Sequence, residues 1–140
     1  MSNFWRNWLV IWCYCVILFG LLLCGAGIEG FEGFADSLLR VLNLDVQPAF
    51  SPVERFALGL TGAVTVGWGF TMLYYIAAAH YNNEGNRIWR QLAFCVVVWY
   101  ALDGYVSYRT GFTLNIASNS VIALGVLIPL YINGKLNRWR

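Results

Sequence analysis

Four long stretches of this chain carry almost no charge, and their spacing constrains the fold more than any motif does. Between Arg6 and Glu29 lie 22 uncharged residues, between Arg55 and Glu84 lie 28, and between Arg109 and Lys135 lie 25. A run of 18 between Arg90 and Arg109 is broken only by Asp103. A helix needs roughly 20 apolar residues to cross ~30 Å of hydrocarbon at ~1.5 Å per residue. Backbone amides and carbonyls find no water in that core, so continuous apolar runs of this length must be helical. A β-barrel would alternate apolar and polar residues instead. The expected fold is all-α, an integral membrane four-helix bundle. It forms a single membrane domain over residues 1–140, with spans at about 8–27, 53–80, 88–108 and 114–133.

Composition agrees. Of 140 residues, 59% are hydrophobic and 11% charged, against about 25% charged in an ordinary soluble domain. A short chain has too much surface to hide such an excess from water. This argues against a soluble enzyme, a nucleic-acid binder and a disordered tail. The first run imitates a signal peptide, with Arg6 before it and Gly25-Ala26-Gly27 after it. It is longer than the usual signal core, so it reads as a retained helix. Leu23 before Cys24 is too large for a lipoprotein site.

Basic residues set the expected sidedness. The N-terminus, the 81–88 loop and the C-terminus share one side and carry Arg6, Arg87, Arg90, Lys135, Arg138 and Arg140. The other side carries Arg40, Arg55 and Arg109, with the acidic run Glu29, Glu32, Asp36, Asp45 and Glu54. Both termini are therefore expected in the cytoplasm, and the basic tail is expected to meet anionic lipid. Trp5, Trp8, Trp12, Trp89, Tyr131 and Trp139 would form an inner aromatic belt, and Tyr105, Tyr108 and Phe112 an outer one.

Within the first extracytoplasmic loop, Phe31, Phe34, Leu38, Leu39 and Leu42 recur at helical spacing, with Glu32, Asp36 and Arg40 elsewhere on the wheel. That predicts a short amphipathic helix over about 31–43, resting at the interface, roofing the bundle or docking on a partner. Ser51-Pro52-Val53-Glu54 predicts a capping box with proline in the first helical position. Gly59, Ala63 and Gly67 lie four apart on one helix, and Gly20, Cys24 and Gly27 make a similar face on another. Such small-residue seams allow close helix packing in lipid, within a chain or between chains. Pro129 predicts a mild kink in the last helix.

Asp103 is the one charge inside a span. A carboxylate at membrane depth costs roughly 2.5–3.5 kcal/mol on insertion scales, so it faces the bundle and tends to be functional. Ser107 follows at i+4, and Asn115 and Asn119 repeat that spacing beyond a short connection. An antiparallel hairpin would bring Asp103 level with Asn119, with Arg109 at the rim. This cluster would bind a polar headgroup, an ion or a proton, or would only lock two helices at ~0.6 kcal/mol per hydrogen bond.

The remaining candidates point to packing. Cys13 and Cys15 are two apart and project to different sides of a helix, and no C-x-x-C is present. The four cysteines read as small buried hydrophobes. The lone His80 sits at a helix C-terminus, where positive charge is favoured. It offers no pair of histidines for a haem. No nucleotide-binding or hydrolase motif appears, and no metal site or cofactor is expected.

The series Gly67-Trp68-Gly69, Arg87, Trp89-Arg90, Trp99, Asp103, Ser107, Gly111, Asn115, Asn119 and Pro129 resembles small four-helix bacterial membrane proteins of the DoxX-like and BphX-like groups. The match runs over about residues 56–133, and the long Phe-rich first loop departs from that pattern. The resemblance implies a helical bundle in a bacterial inner membrane, and some such proteins are accessory subunits of membrane redox systems. The expected function is a non-catalytic subunit or scaffold packing against a larger membrane complex. Its partners would be the lipid bilayer and other membrane polypeptides or further copies of itself, without nucleic acid. The alternative is a small binder or conduit for a lipid, quinone or ion, using the Asp103 cluster.

Overall fold

The computed structural model describes residues 1–45, 50–81 and 86–137. The expected belt residue Trp139, the basic residues Arg138 and Arg140, and the turn bearing Glu84 lie outside them. Every regular element among the described residues is an α-helix: α1 (Asn3–Gly25), α2 (Gly33–Leu42), α3 (Pro52–Tyr81), α4 (Arg87–Arg109) and α5 (Thr113–Ile132). Three of these, α1, α3 and α5, are long and apolar enough to cross a membrane. At 23 residues α4 matches α1 in length. Arg87, Arg90, Asp103 and Arg109 leave it less apolar than the others.

Helix ends follow local chemistry. At α3, the Ser51 amide donates to Glu54 Oε2 at 2.7 Å and the Glu54 amide donates to Ser51 Oγ at 3.3 Å, the reciprocal capping box. Two helices end on a left-handed glycine. Gly111 (φ 82°) closes α4, with Phe112 N–H bonded to Ser107 O at 2.9 Å, and Gly134 (φ 64°) closes α5, with Lys135 N–H bonded to Leu130 O at 2.9 Å. Each satisfies a terminal carbonyl by a Schellman turn that a β-carbon would strain.

The contacts divide the chain into two compact units, Met1–Cys13 with Thr71–Arg140, and Tyr14–Phe70. In the first, α4 and α5 pack as an antiparallel hairpin across the short Gly111 turn. Leu9, Cys13, Ile76, Trp89, Val96, Val126 and Leu130 are buried. Trp89 is only 2% exposed, so it is a core residue and not a belt anchor. Trp12 is half-buried, while Trp8 stays exposed near the start of α1. Their indoles donate to carbonyls in the middle of α5, Trp8 to Gly125 O at 2.8 Å and Trp12 to Ile122 O at 3.1 Å. Gly125 stands four residues before Pro129, which has no amide to offer that carbonyl. Trp8 supplies the missing donor. A β-carbon at Gly125 would lie 3.1 Å from the Trp12 ring, so any larger residue there would make the indole shift by a few tenths of an ångström.

At one end of this unit the termini and helix ends are tied together. The Ser2 amide donates to Asn133 Oδ1 at 3.3 Å, and Asn86 Nδ2 donates to Gly134 O at 3.0 Å and Asn137 O at 3.2 Å. Arg6 Nη1 lies 3.4 Å from His80 Nε2. Since a guanidinium only donates, that ring nitrogen accepts.

In the second unit the close approach of α1 to α3 runs through glycine. A β-carbon on Gly62 would fall 2.6 Å from Gly20 O, one on Gly20 would fall 2.8 Å from Val66 N, and one on Gly59 would fall 3.3 Å from Gly27 Cα. Cys24 Sγ donates to Gly59 O at 3.4 Å. Gly20, Cys24, Gly27 and Gly59 thus form the seam within one chain. Ala63 and Gly67, expected on the same seam, are not on it. Ala63 is exposed, nothing lies within 4 Å of a β-carbon at Gly67, and Gly62 takes their place. The difference of one residue, about 100° on the wheel, decides which face meets α1.

Helix α2 also belongs to this unit and is narrower than the expected 31–43. It buries Ala35 completely and sets Phe34 edge-on to Phe19 of α1, with ring centroids 6.1 Å apart. Glu32, just before α2, pairs with Arg55 of α3 at 2.9 Å. The Arg55 guanidinium beside it lowers the Glu32 carboxyl to about 2. Glu32 Oε2 and Arg55 Nη1 are buried without hydrogen-bond partners among the described residues.

Candidate functional site

Four polar side chains converge where α4 and α5 run side by side. Asp103 and Ser107 come from α4 one turn apart, and Asn115 and Asn119 from α5 one turn apart. Residues at i and i+4 share a helix face, so each pair can meet the other across the hairpin. Asp103 Oδ1 accepts three hydrogen bonds: Ser107 Oγ at 3.1 Å, Asn115 Nδ2 at 2.9 Å and Asn119 Nδ2 at 2.6 Å. The second hydrogen of Asn115 Nδ2 goes to Ser107 Oγ at 2.9 Å, which closes a triangle. Ser107 and Asn119 are 4% and 6% exposed.

The donors fit a carboxylate. Amides and hydroxyls supply hydrogens, and a carboxylate oxygen only accepts. The register expected from sequence, Asp103 level with Asn119, is the one observed. Arg109 is exposed and joins the cluster through no hydrogen bond or ion pair among the described residues. As the last residue of α4 it stands before the Gly111 turn that leads the chain away to α5.

Asp103 Oδ2 takes none of these bonds. Asp103 lines an open groove of about 610 Å³ along α4, with Phe94, Cys95, Val98, Trp99, Leu102 and Val106. Among the described residues the carboxylate is thus anchored through one oxygen. Deeper along the hairpin, Tyr100 and Ser120 make a second link at 2.8 Å. Ser120 spends its hydrogen on Ile116 O at 2.7 Å, so the Tyr100 hydroxyl donates. The sequence reading named neither residue. Their only signal was a tyrosine three residues before Asp103 and a serine beside Asn119, both common in any membrane helix.

Of the cysteines, Cys13 is buried, Cys24 half-buried, and Cys15 and Cys95 exposed, and all four are free thiols. The last two therefore depart from the buried reading, because they fall on outward helix faces. Among the described residues no group of three or more His, Cys, Asp or Glu side chains is placed to hold a metal ion. No protein-family model, curated protein or solved structure matches the chain.

Proposed function

We propose that this chain is a non-catalytic, multi-span membrane subunit that packs against a larger membrane complex. Helix α4 is its fourth span, and both termini lie in the cytoplasm. The observation that carries this reading is Asp103: its hydrogen bonds among the described residues all fall on Oδ1, and the residue lines an apolar groove on what would be a membrane-spanning helix. At membrane depth an unsatisfied charge costs several kcal/mol, on the order of the insertion penalty for aspartate. A partner helix bringing a hydroxyl, amide or cation to the groove would satisfy it and cover Leu102 and Val106. The large apolar side chains turned outward on the other helices, such as Leu18, Val64 and Val121, suit a lipid surrounding. The DoxX-like resemblance agrees with an inner-membrane accessory subunit.

Purification in mild detergent followed by native mass spectrometry tests the reading. A co-purifying membrane polypeptide or self-assembled chain is expected, and its loss in Asp103→Asn. That variant keeps an acceptor for the three donors and removes the charge. Association that survives Asp103→Asn at unchanged stability overturns the role of the carboxylate. A bare monomer overturns the subunit reading, and a retained small molecule without polypeptide favours the binder alternative.

A further inference from the structure

Towards the other end of α4 lies a second cavity, of about 390 Å³, which shares Phe94 and Cys95 with the groove at Asp103 but none of the four polar side chains. Arg87, Arg90 and Gln91 line its polar part, Tyr75 of α3 one side, and Phe94 and Cys95 the apolar floor. The two arginines stand on the first turn of the helix, where the dipole favours an anion. Among the described residues neither has a carboxylate partner. Arg90 Nη1 reaches only the Asn137 carbonyl, at 3.4 Å. The surrounding groups are cationic too. Arg6 and Lys135 belong to the same end of the unit, and burial together with the Lys135 ammonium holds the Met1 amino group below its ordinary value. Five of the seven acidic residues fall in 29–54, Asp103 is near the far end of α4, and Glu84, three residues before Arg87, lies outside the described residues.

An apolar groove adjoins this basic cavity. It holds about 500 Å³ between α4 and α5, is lined by Val97, Leu124, Leu127, Ile128 and Tyr131, and shares Phe94 with the basic cavity. The 23 residues of α4 measure ~34 Å, close to the ~30 Å of a hydrocarbon core. Arg87 and Arg90 would then stand at headgroup level. Val97, ~10 Å further along the axis, would stand among acyl chains. A single occupant of both spaces needs an anionic head and an apolar tail joined end to end.

We infer that these two spaces form a binding site for a membrane phospholipid. The guanidiniums of Arg87 and Arg90 take the phosphate, Tyr75 and Gln91 offer hydrogen bonds to the head, and one acyl chain passes Phe94 into the Val97–Ile128 groove. Paired guanidiniums suit phosphate because their forked N–H groups match its oxygens. The inference rests on the chain lying in a membrane but not on the partner at Asp103.

The test titrates the full chain, purified in mild detergent, with phosphatidylglycerol followed by native mass spectrometry. Glycerol phosphate serves as the tailless probe. Saturable binding of phosphatidylglycerol is expected, with none of glycerol phosphate. Arg87→Gln/Arg90→Gln should weaken lipid binding about tenfold or more, through loss of two charge-assisted contacts. Arg87→Lys/Arg90→Lys should keep part of it. Val97→Trp, at an exposed position, should block the chain groove with both arginines intact, and it stands in if the glutamine variant does not fold. Wild-type affinity in either Arg87→Gln/Arg90→Gln or Val97→Trp, or equal binding of glycerol phosphate, overturns the site. Recovery of the chain in the soluble fraction of cells would overturn the membrane reading as well. A membrane-bound chain with a normal Asp103→Asn response but unselective lipid binding defeats only this inference.

Discussion

Pro129 removes one amide from α5, and the indole of Trp8 takes over the carbonyl left behind at Gly125. The two residues are coupled through one oxygen, which a double-mutant cycle can read. Trp8→Phe keeps a ring and deletes the donor, and should cost about 1–2 kcal/mol in a detergent unfolding titration. In a Pro129→Ala background the restored amide can bond Gly125 O, so the same change should cost less by about 1 kcal/mol. Additive effects would show that the indole bond contributes nothing. At Asp103 the analogous comparison is Asp103→Leu against Asp103→Asn. Leucine strands the Ser107, Asn115 and Asn119 donors and should cost about 2 kcal/mol or more, while asparagine should stay within about 1 kcal/mol. Equal losses in the two variants would contradict the three-donor geometry. The four members of this cluster were legible because i, i+4 spacing on two adjacent helices leaves only one register. Spacing alone does not tell whether Arg109, expected at the rim, bonds to the cluster; it stands exposed at the end of α4 with no such bond among the described residues. The Trp8 bond was illegible because it joins residues 117 apart.

Helix packing in the Tyr14–Phe70 unit depends on which small residues face the neighbour. Gly62→Ala would drive a methyl group into the α1 backbone at Gly20 and Cys24. It should destabilise the chain by about 1–3 kcal/mol, the usual range for overpacking. Gly67→Ala meets nothing within 4 Å and should be neutral or gain up to about 1 kcal/mol from helix propensity. Thermal unfolding of the two variants side by side distinguishes this seam from the one suggested by Gly59, Ala63 and Gly67. The presence of a seam was readable from small residues. Its face was not, since Gly62 and Ala63 are both small and only the partner backbone selects between them. At α2 the Glu32–Arg55 pair gives a pH dependence. The folded carboxyl sits at about 2, below its ordinary 4.5, so the pair's contribution is complete above 4.5 and is lost as pH falls through 4.5 towards 2. Limited proteolysis of the 28–50 segment should accelerate over that window. Glu32→Gln should be cleaved at a rate that no longer changes there, and a wild-type rate flat from pH 6 to 2 would count against the pair.

For the chain as a whole, charge placement carries the topology. Ser2, Asn86, Asn133 and Asn137 meet at one end of the Met1–Cys13 with Thr71–Arg140 unit, so the two termini emerge together. Cysteines introduced at Ser2 and Asn137 should react with an impermeant maleimide from the same side of the membrane, and one at Thr110 from the opposite side. Labelling of Ser2→Cys and Asn137→Cys from different sides would break the even-span topology. The sequence by itself determined the helical class, three of the four helices it marked as long and apolar enough to cross a membrane, the α3 capping box and the meeting of Asp103 with Asn119. Each of these follows from local periodicity, charge spacing or hydrogen-bonding chemistry within a few turns. Only the tertiary structure decided that Gly62 carries the seam, that Trp89 is buried while Trp8 and Trp12 bond to α5 carbonyls, and that the described bonds of Asp103 all fall on one oxygen. Those outcomes depend on which of several chemically similar faces a distant helix covers, and a one-dimensional pattern of apolar residues leaves these faces equivalent.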